Sequence, residues 1–171
     1  RPDTAQTDDS SDTVDTSDST DTSDTVDTSD TAPPICADVN LGSRTGAPVA
    51  TGALTGGGND EQGTCGGAGP DRSFLWSAPR SACYAFATEG STTDTLVYLR
   101  ASANAQDCDG VELACHADLL AGEPGFESAY IGRPMTAGDS VLIVVDAAVA
   151  NASGDYALTV SEVPPLPIHA D

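Results

Sequence analysis

The stretch PDRSFLWSAPRSACYAFATEGSTTDTLVYLR, residues 70–100, decides the fold class of the chain. It contains three short apolar segments, separated by Pro, Gly, Ser and Asp residues that favour turns. In the segment RSFLWSA, Phe74 and Trp76 lie on one face of an alternating pattern. In ACYAFAT, Tyr84 and Phe86 do the same. Alternation with a period of two is typical of a half-buried strand, so the stretch predicts three consecutive β-strands.

Similar short segments flank this stretch on both sides. One of them, SVLIVVDA, has apolar residues on both faces, as a strand in the middle of a sandwich would. About eight short strands with turn signals between them predict an all-β, jelly-roll-like β-sandwich over residues 32–163. Residues 164–171 form a Pro-rich C-terminal tail. The predicted strands are 48–55, 72–78, 82–88, 95–101, 111–117, 128–132, 140–147 and 155–163.

Residues 1–31 differ in composition from the rest of the chain. They contain ten Asp and one Arg, with two Val as their only sizeable apolar side chains. The sequence SDTVDTSD occurs at 11–18 and again at 23–30. Because so few apolar groups cannot offset the entropy lost on ordering, we expect this segment to be disordered when it is alone. The folded domain is therefore predicted to begin near residue 32.

A hydroxyl residue recurs at every third position of this segment, and Asp precedes nine of the ten. Three residues per turn is the repeat of polyproline II, in which the hydroxyls would form one column. The segment is then either an acidic, solvated spacer or an extended rod whose hydroxyls carry O-linked glycans. The unbroken column favours glycans, because a spacer needs composition but not register. The predicted O-glycosylation sites are Thr4, Thr7, Ser10, Thr13, Thr16, Ser19, Thr22, Thr25, Thr28 and Thr31.

The whole chain is strongly acidic, with 27 Asp and Glu against six Lys and Arg and a formal charge of −21. Nucleic-acid binding needs clustered basic residues, and this chain has no basic patch. Binding to an anionic membrane surface is disfavoured for the same reason. No apolar run approaches the roughly 20 residues that span a bilayer. We therefore expect no nucleic-acid partner and no membrane insertion.

The order of several segments resembles the bacterial pre-peptidase C-terminal (PPC-like) domain. The resemblance covers roughly residues 36–161 and implies a compact β-sandwich attached to extracellular proteins. In that family the domain is an accessory module without catalytic residues of its own. The segments that carry the resemblance are the stretch 70–100, the C-x6-C pattern around VELAC, AGDSVLIVVD and SGDYALTV.

The chain departs from the family pattern at two places. His116-Ala117-Asp118 stands where an acidic pair is usual, which weakens a metal site at that loop. Cys83 stands where small or hydroxyl residues are more usual. The chain begins at Arg1 rather than Met, so we expect that an export signal has been removed.

The five cysteines fit an exported protein in an oxidising compartment. There, Cys108 and Cys115 would close a short loop with six residues between them. The family resemblance implies that Cys36 pairs with Cys65 and fastens the lead-in to the sandwich. Cys83 is left over, either as a buried thiol or as one half of an intermolecular bridge.

The remaining motifs give no catalytic site. The chain has two His and many Ser and Asp, but no nucleophile elbow, and His169 lies in the Pro-rich tail. No C-x-x-C spacing supports zinc. Acidic clusters offer oxygen ligands for Ca²⁺, although none has an EF-hand frame and solvated surface acids are the simpler interpretation. The weak calcium candidates are Asp60, Asp107, Asp109 and Asp118. Apart from calcium, we expect no cofactor.

Two classes of function remain. In the first, the protein is a non-enzymatic subunit of a surface or secreted filament or matrix. Its partners are copies of itself and the attached glycan, and neighbouring subunits order the repeat. In the second, it is a tethered module that binds polysaccharide or protein at the cell surface. Because carbohydrate-binding faces usually present coplanar aromatics and the few aromatics here occupy core positions, we expect the structural class.

Overall fold

The computed structural model describes residues 36–104, 106–117 and 129–164. These ranges contain two β-sheets and no helix. The described residues therefore include no helix that could cross a membrane. The predicted all-β sandwich is confirmed. The predicted repeat 1–31 with its glycosylation sites, Asp118, His169 and the tail beyond residue 164 lie outside the described residues. The strands are β1 Val39–Gly42, β2 Gly46–Ala53, β3 Asp71–Ser77, β4 Ala82–Ala87, β5 Thr95–Ser102, β6 Glu112–His116, β7 Tyr130–Met135, β8 Ser140–Ala147 and β9 Asp155–Val163.

Five strands form one sheet in the order β1-β3-β8-β5-β6, and four form the other in the order β2-β9-β4-β7. The core between them is built from the alternating aromatics of the deciding stretch. Trp76 of β3 packs edge-on against Tyr84 and Phe86 of β4, with ring centroids 4.9 and 5.5 Å apart. All three side chains are fully buried. Such pairs contribute about 1 kcal/mol each beyond the area that they bury.

Strand β8 lies in the middle of the five-stranded sheet, as its apolar residues predicted. Val141, Ile143 and Val145 face the core between the sheets. Leu142 and Val144 face the opposite side, where they belong to a second, smaller core. The sheet is therefore covered on both faces, which explains why β8 lacks the polar alternation of a solvated strand.

Strand β1 was not among the predicted strands. It runs parallel to β3, with Val39 opposite Phe74. Its four residues VNLG carry too short a pattern to stand out in the sequence. A long-range contact holds it in place, because Asp38 Oδ2 accepts hydrogen bonds from the amide and the hydroxyl of Ser73 at 2.8 and 3.0 Å.

The disulfide pairing differs from the prediction. Cys36 bridges Cys108 and Cys65 bridges Cys115, with Cα–Cα distances of 5.8 and 5.6 Å. The predicted pairs Cys36–Cys65 and Cys108–Cys115 are therefore wrong, although all four cysteines form bridges. Cys115 lies inside β6, and the chain before it runs along β5 instead of turning back. A strand rises about 3.3 Å per residue, so Cys108 is carried beyond the reach of Cys115.

Candidate functional site

Residues 54–70 form a glycine-rich loop that crosses the outer face of the five-stranded sheet, and we call this loop the lid. The Cys65–Cys115 bridge joins its middle to β6. The amide of Gly69 donates a hydrogen bond of 3.1 Å to the carbonyl of Ala147, which holds its end to β8. Between the predicted strands 48–55 and 72–78, the sequence showed only turn signals. The structure shows a cover fastened at two separate points.

An arginine on β5 adds a third attachment. Arg100 pairs with Glu61 of the lid, with 2.8 Å between Nη1 and Oε2. Its Nη2 also donates a hydrogen bond of 2.9 Å to the carbonyl of Gln62. Both charged side chains are about four-fifths buried, at 18% exposure each. This pair closes the lid at the rim of the sheet.

Two carboxylates lie beneath the lid on neighbouring strands. Asp71 of β3 stands directly opposite Asp146 of β8. Asp71 is 6% exposed and Asp146 is fully buried. Cβ atoms of directly opposite residues are about 5 Å apart, and like charges in such a pair destabilise a sheet. The structure therefore places two acids face to face where water is largely excluded.

The two carboxylates differ in how they are hydrogen-bonded. Asp71 Oδ2 accepts from the amides of Asp60 and Glu61 at 2.7 and 2.9 Å. Among the described residues, neither oxygen of Asp146 has a hydrogen-bond partner, and the buried hydroxyl of Tyr98 has none either. A charged group that is buried without hydrogen-bond partners lowers the stability of the folded state by several kcal/mol. The space under the lid therefore contains an uncompensated acid.

The Tyr98 hydroxyl is an exception among the buried aromatics. The indole N–H of Trp76 donates to the carbonyl of Arg44 at 2.8 Å. The hydroxyl of Tyr84 donates to the carbonyl of Arg80 at 3.0 Å. Trp76 and Tyr84 thus have partners for their polar groups, whereas Tyr98 beneath the lid does not.

Burial controls the acidity of this cluster. Burial and the nearby charge of Asp71 together raise the pKa of Asp146 to about 7, against a smaller lowering by the amide of Ala147. Burial also raises the pKa of Asp71, against the opposing effect of the two amides. The pKa of Glu61 is raised by burial and lowered in part by Arg100. Near neutral pH, the Asp146 carboxyl is therefore balanced between its protonated and ionised forms.

Glycines allow the lid to approach the sheet closely. Gly67 has a φ of +95°, which favours glycine. A Cβ built on Gly67 would overlap the carboxylate of Asp146. A Cβ on Gly63 would meet the ring of Tyr98 at 2.7 Å and the sulfur of Cys115 at 2.9 Å. The glycine content of this loop is therefore a packing requirement.

The calcium candidates among the described residues, Asp60, Asp107 and Asp109, do not form a metal site. The side chain of Asp60 is exposed, and only its amide enters the cluster. Asp107 accepts a hydrogen bond of 3.3 Å from the amide of Ala103 and so caps its own loop. Asp109 is exposed on the same loop. Within the described ranges, no group of three His, Cys, Asp or Glu side chains is placed to hold a metal ion.

Sequence reasoning missed both buried acids. Asp71 immediately precedes the predicted strand 72–78, and Asp146 is the second-last residue of the predicted strand 140–147. Solvated turn residues are common at such positions. One signal was available, because SVLIVVD places Asp146 in line with Leu142 and Val144. An acid that continues the outer face of an otherwise apolar strand is a candidate for burial.

The outer face of the four-stranded sheet is different, and we call its nine central residues the neutral face. They form three rows across β7, β4 and β9 and carry no carboxylate, ammonium or guanidinium group. Cys83 in this face is a half-buried free thiol. Tyr130, 38% exposed, is the one exposed aromatic among the described residues. The rows are Pro134–Cys83–Val163, Gly132–Ala85–Ser161 and Tyr130–Ala87–Thr159.

Comparison with known proteins gives one structural neighbour. No family model and no curated protein matches the chain. Among solved structures, the chain is similar to the pre-peptidase C-terminal domain of a collagenase from Bacillus anthracis. The identity is 13%, the match covers 76% of this chain and 99% of that domain, and the TM-score is 0.45. That domain belongs to the family that the sequence resembles.

Proposed function

We propose that the protein is a non-enzymatic structural subunit of an extracellular or cell-surface filament or matrix, and that its copies meet through the neutral face. The observation that carries this proposal is the absence of charge from the nine residues of that face. With a formal charge of −21, copies of this chain repel one another over most surfaces. A flat patch without carboxylates removes that repulsion locally. The two disulfides fit an extracellular location.

The composition of the neutral face also suits close packing of two sheets. Small side chains such as Ala85, Ala87 and Ser161 let another sheet approach to the usual spacing of about 10 Å. Cys83 lies in the first row of the face, where a bridge between copies is the alternative to a free thiol. Exposed Tyr130 adds an amphipathic ring at the opposite end.

The test adds one negative charge to the neutral face. Thr159→Asp places a carboxylate in the row of Ala87 and Tyr130. The control is Val149→Asp, because Val149 is 59% exposed and lies outside the face. Sedimentation velocity and electron microscopy of the full chain should show assemblies for the unmodified protein and Val149→Asp, and loss of assemblies for Thr159→Asp. A protein that stays monomeric, or two variants that behave alike, would overturn the proposal.

The N-terminal repeat contributes the second part of this function. We propose that its ten hydroxyls carry O-linked glycans, which separate the acidic segments of neighbouring subunits. The support is the strict three-residue register of Thr and Ser in residues 1–31. Mass spectrometry of the native protein should give a peptide 1–31 heavier than its bare sequence. A peptide 1–31 with the unmodified mass would refute the glycan proposal. It would not bear on the proposal that copies meet through the neutral face.

The alternative class, a polysaccharide-binding module, has less support. Such faces usually stack sugar rings on coplanar exposed aromatics. In the described part of the chain, Phe74, Trp76, Tyr84 and Phe86 are fully buried, and Tyr130 stands alone on the surface. Recognition of polysaccharide by this protein would therefore need a different chemistry. Glycan-array binding by the unmodified protein, without assembly, would restore this alternative.

A further inference from the structure

A cavity of about 480 Å³ lies at the edge of the sandwich, where residues of β6 and β7 line it together with the ends of β5 and β8. Strands β6 and β7 are each the last strand of their sheet. The volume is within the range of small-molecule sites, about 300–1,000 Å³. The lining combines one guanidinium, two carboxylates and an apolar floor. We propose that this cavity binds a small zwitterion with an apolar side chain, an amino acid or a dipeptide, whose carboxylate Arg133 holds.

Arg133 stands at a position of β7 where the strand pattern expects an apolar residue. Ile131 and Met135, two residues before and two after it, belong to the core between the sheets. Because side chains alternate along a strand, Arg133 is on the same side. Its Nη1 donates a hydrogen bond of 3.3 Å to the carbonyl of Leu113 in β6 of the other sheet. The fold therefore places a cation between the two sheets, in the wall of the cavity.

The charge of Arg133 has no acidic partner among the described residues. Arg72, Arg80 and Arg100 each pair with a carboxylate. Arg133 is half-buried and makes one hydrogen bond, to a carbonyl. A guanidinium has five N–H donors in a planar fork that matches a carboxylate. In a chain with a formal charge of −21, such an arginine is available for the carboxylate of a ligand.

Two acids in the same lining determine that the ligand also carries a positive charge. Asp107 and Asp139 each use one oxygen to accept from a nearby amide, that of Ala103 at 3.3 Å and that of Thr136 at 2.8 Å. The second oxygen of each carboxylate can accept from an ammonium group. A simple anion would be repelled by these two acids and by the net charge of the chain. A zwitterion has no net charge and meets both signs.

The floor of the cavity is apolar. Leu113, Met135 and Val141 line it, and Met135 and Val141 are buried members of the core. Burial of an apolar side chain on this floor removes hydrocarbon from water, which favours leucine over a polar amino acid. The flexible side chain of Met135 can adjust to the shape of such a group.

The experiment is calorimetric titration of the full chain with L-leucine and, separately, with L-leucyl-L-leucine. We expect heat of binding from at least one of these zwitterions, and the tighter of the two identifies the ligand as an amino acid or a dipeptide. Leucinamide lacks the carboxylate, and 4-methylpentanoate lacks the ammonium group. Each should bind at least about tenfold more weakly than leucine, as expected for the loss of a charge-assisted hydrogen bond.

Two variants assign the charged groups of the ligand to side chains. Arg133→Gln should weaken leucine binding by about tenfold or more and remove the discrimination against leucinamide. Arg44→Gln is the matched control, because Arg44 Nε also donates to a backbone carbonyl, at 3.2 Å, but Arg44 is exposed and does not line this cavity. Asp139→Asn keeps an oxygen for the amide of Thr136 and should reduce the discrimination against 4-methylpentanoate.

Two results would overturn the proposal. In the first, neither zwitterion binds at millimolar concentration, and Arg133 then only protects the edge strand β7, as inward-pointing charges do. In the second, Arg133→Gln binds leucine as tightly as the unmodified protein, so the ligand lies elsewhere. If Arg133→Gln does not fold, the comparison of leucine with leucinamide on the unmodified protein decides. The outcome is independent of assembly, because Thr159→Asp should bind leucine unchanged.

Discussion

The two outer faces of the sandwich differ in cover and in charge, although both are built from β-strands. On the face of the five-stranded sheet, Leu142 and Val144 pack with Ala37 and Cys108, and the lid covers Asp146. The neutral face of the four-stranded sheet carries small uncharged residues and has no comparable cover among the described loops. One face has an acid that water does not reach. The other has no charge where charge would be easiest to solvate.

The comparison shows that exposure of a sheet face does not determine its polarity in this protein. The acidic residues that a sheet would normally place in water lie under a disulfide-fastened loop, where Asp71 and Asp146 meet. The neutral face has Ala85, which is 4% exposed, and half-buried Ala87 at its centre. We propose that the neutral face serves contacts between subunits, whereas the covered face stabilises the subunit itself.

Releasing the lid should give the largest effect. Replacing Cys65 and Cys115 together by Ser removes a bridge across 50 residues, and the chain-entropy estimate for that loop is about 4 kcal/mol of stability. Urea denaturation measures the loss. Cys83→Ser on the neutral face is the matched control and should change the free energy of unfolding by less than about 0.5 kcal/mol. Equal losses would show that the lid is not held by its bridge.

The pH dependence of stability should come from the covered face. The folded-state pKa of Asp146 is about 7 against an ordinary value of 3.8, so the folded state binds more protons between these limits. The free energy of unfolding should therefore fall by about 3 kcal/mol as the pH rises from 4 to 7, and then level off. The raised pKa values of Asp71 and Glu61 act in the same direction, and Arg100 opposes them at Glu61.

Urea denaturation at several pH values measures this slope. Asp146→Asn should flatten most of it. Asp155→Asn, at the end of β9 in the other sheet, should leave it unchanged. A profile that rises from pH 4 to 7 in the unmodified protein would contradict the assignment.

Two glycines with the same backbone conformation separate strain from contact. Gly67 in the lid and Gly90 before β5 have φ values of +95° and +92°. Gly90→Ala should cost about 1 kcal/mol from conformation alone, because its nearest neighbour, the Cβ of Ala157, is 3.8 Å away. Gly67→Ala should cost about 2 kcal/mol more, because its methyl group overlaps Asp146. Thermal unfolding compares them, and equal costs would mean that the lid yields easily.

The strands could be predicted because each carries its own pattern. Alternating aromatic residues indicate a buried face within a few positions, as Phe74 and Trp76 do in β3. Tyr84 and Phe86 do so in β4. Even the central position of β8 follows from its own apolar residues. Strand β1 was missed because four residues hold little pattern and their pairing depends on a partner more than 30 residues away.

The covered site depends on information that no single segment contains. The burial of Asp146 requires the path of the lid, and that path depends on which cysteines pair. The spacing of Cys108 and Cys115 suggested a local loop, but the strand that contains Cys115 excludes it. Without the correct pairing, nothing in the sequence distinguished these two acids from ordinary solvated residues. The set of bridged cysteines was right because it required only composition and compartment.

The order of the bridged cysteines along the chain has a consequence for survival outside the cell. Cys36–Cys108 and Cys65–Cys115 interleave, so the span of each bridge begins or ends inside the span of the other. A protease that cuts any one peptide bond between Cys36 and Cys115 therefore leaves both pieces covalently joined. The nicked module cannot shed a fragment until a second cut or a reductant arrives. Such interleaved bridges make a secreted protein more resistant to peptidases, because cleavage of a single peptide bond does not separate the molecule into fragments.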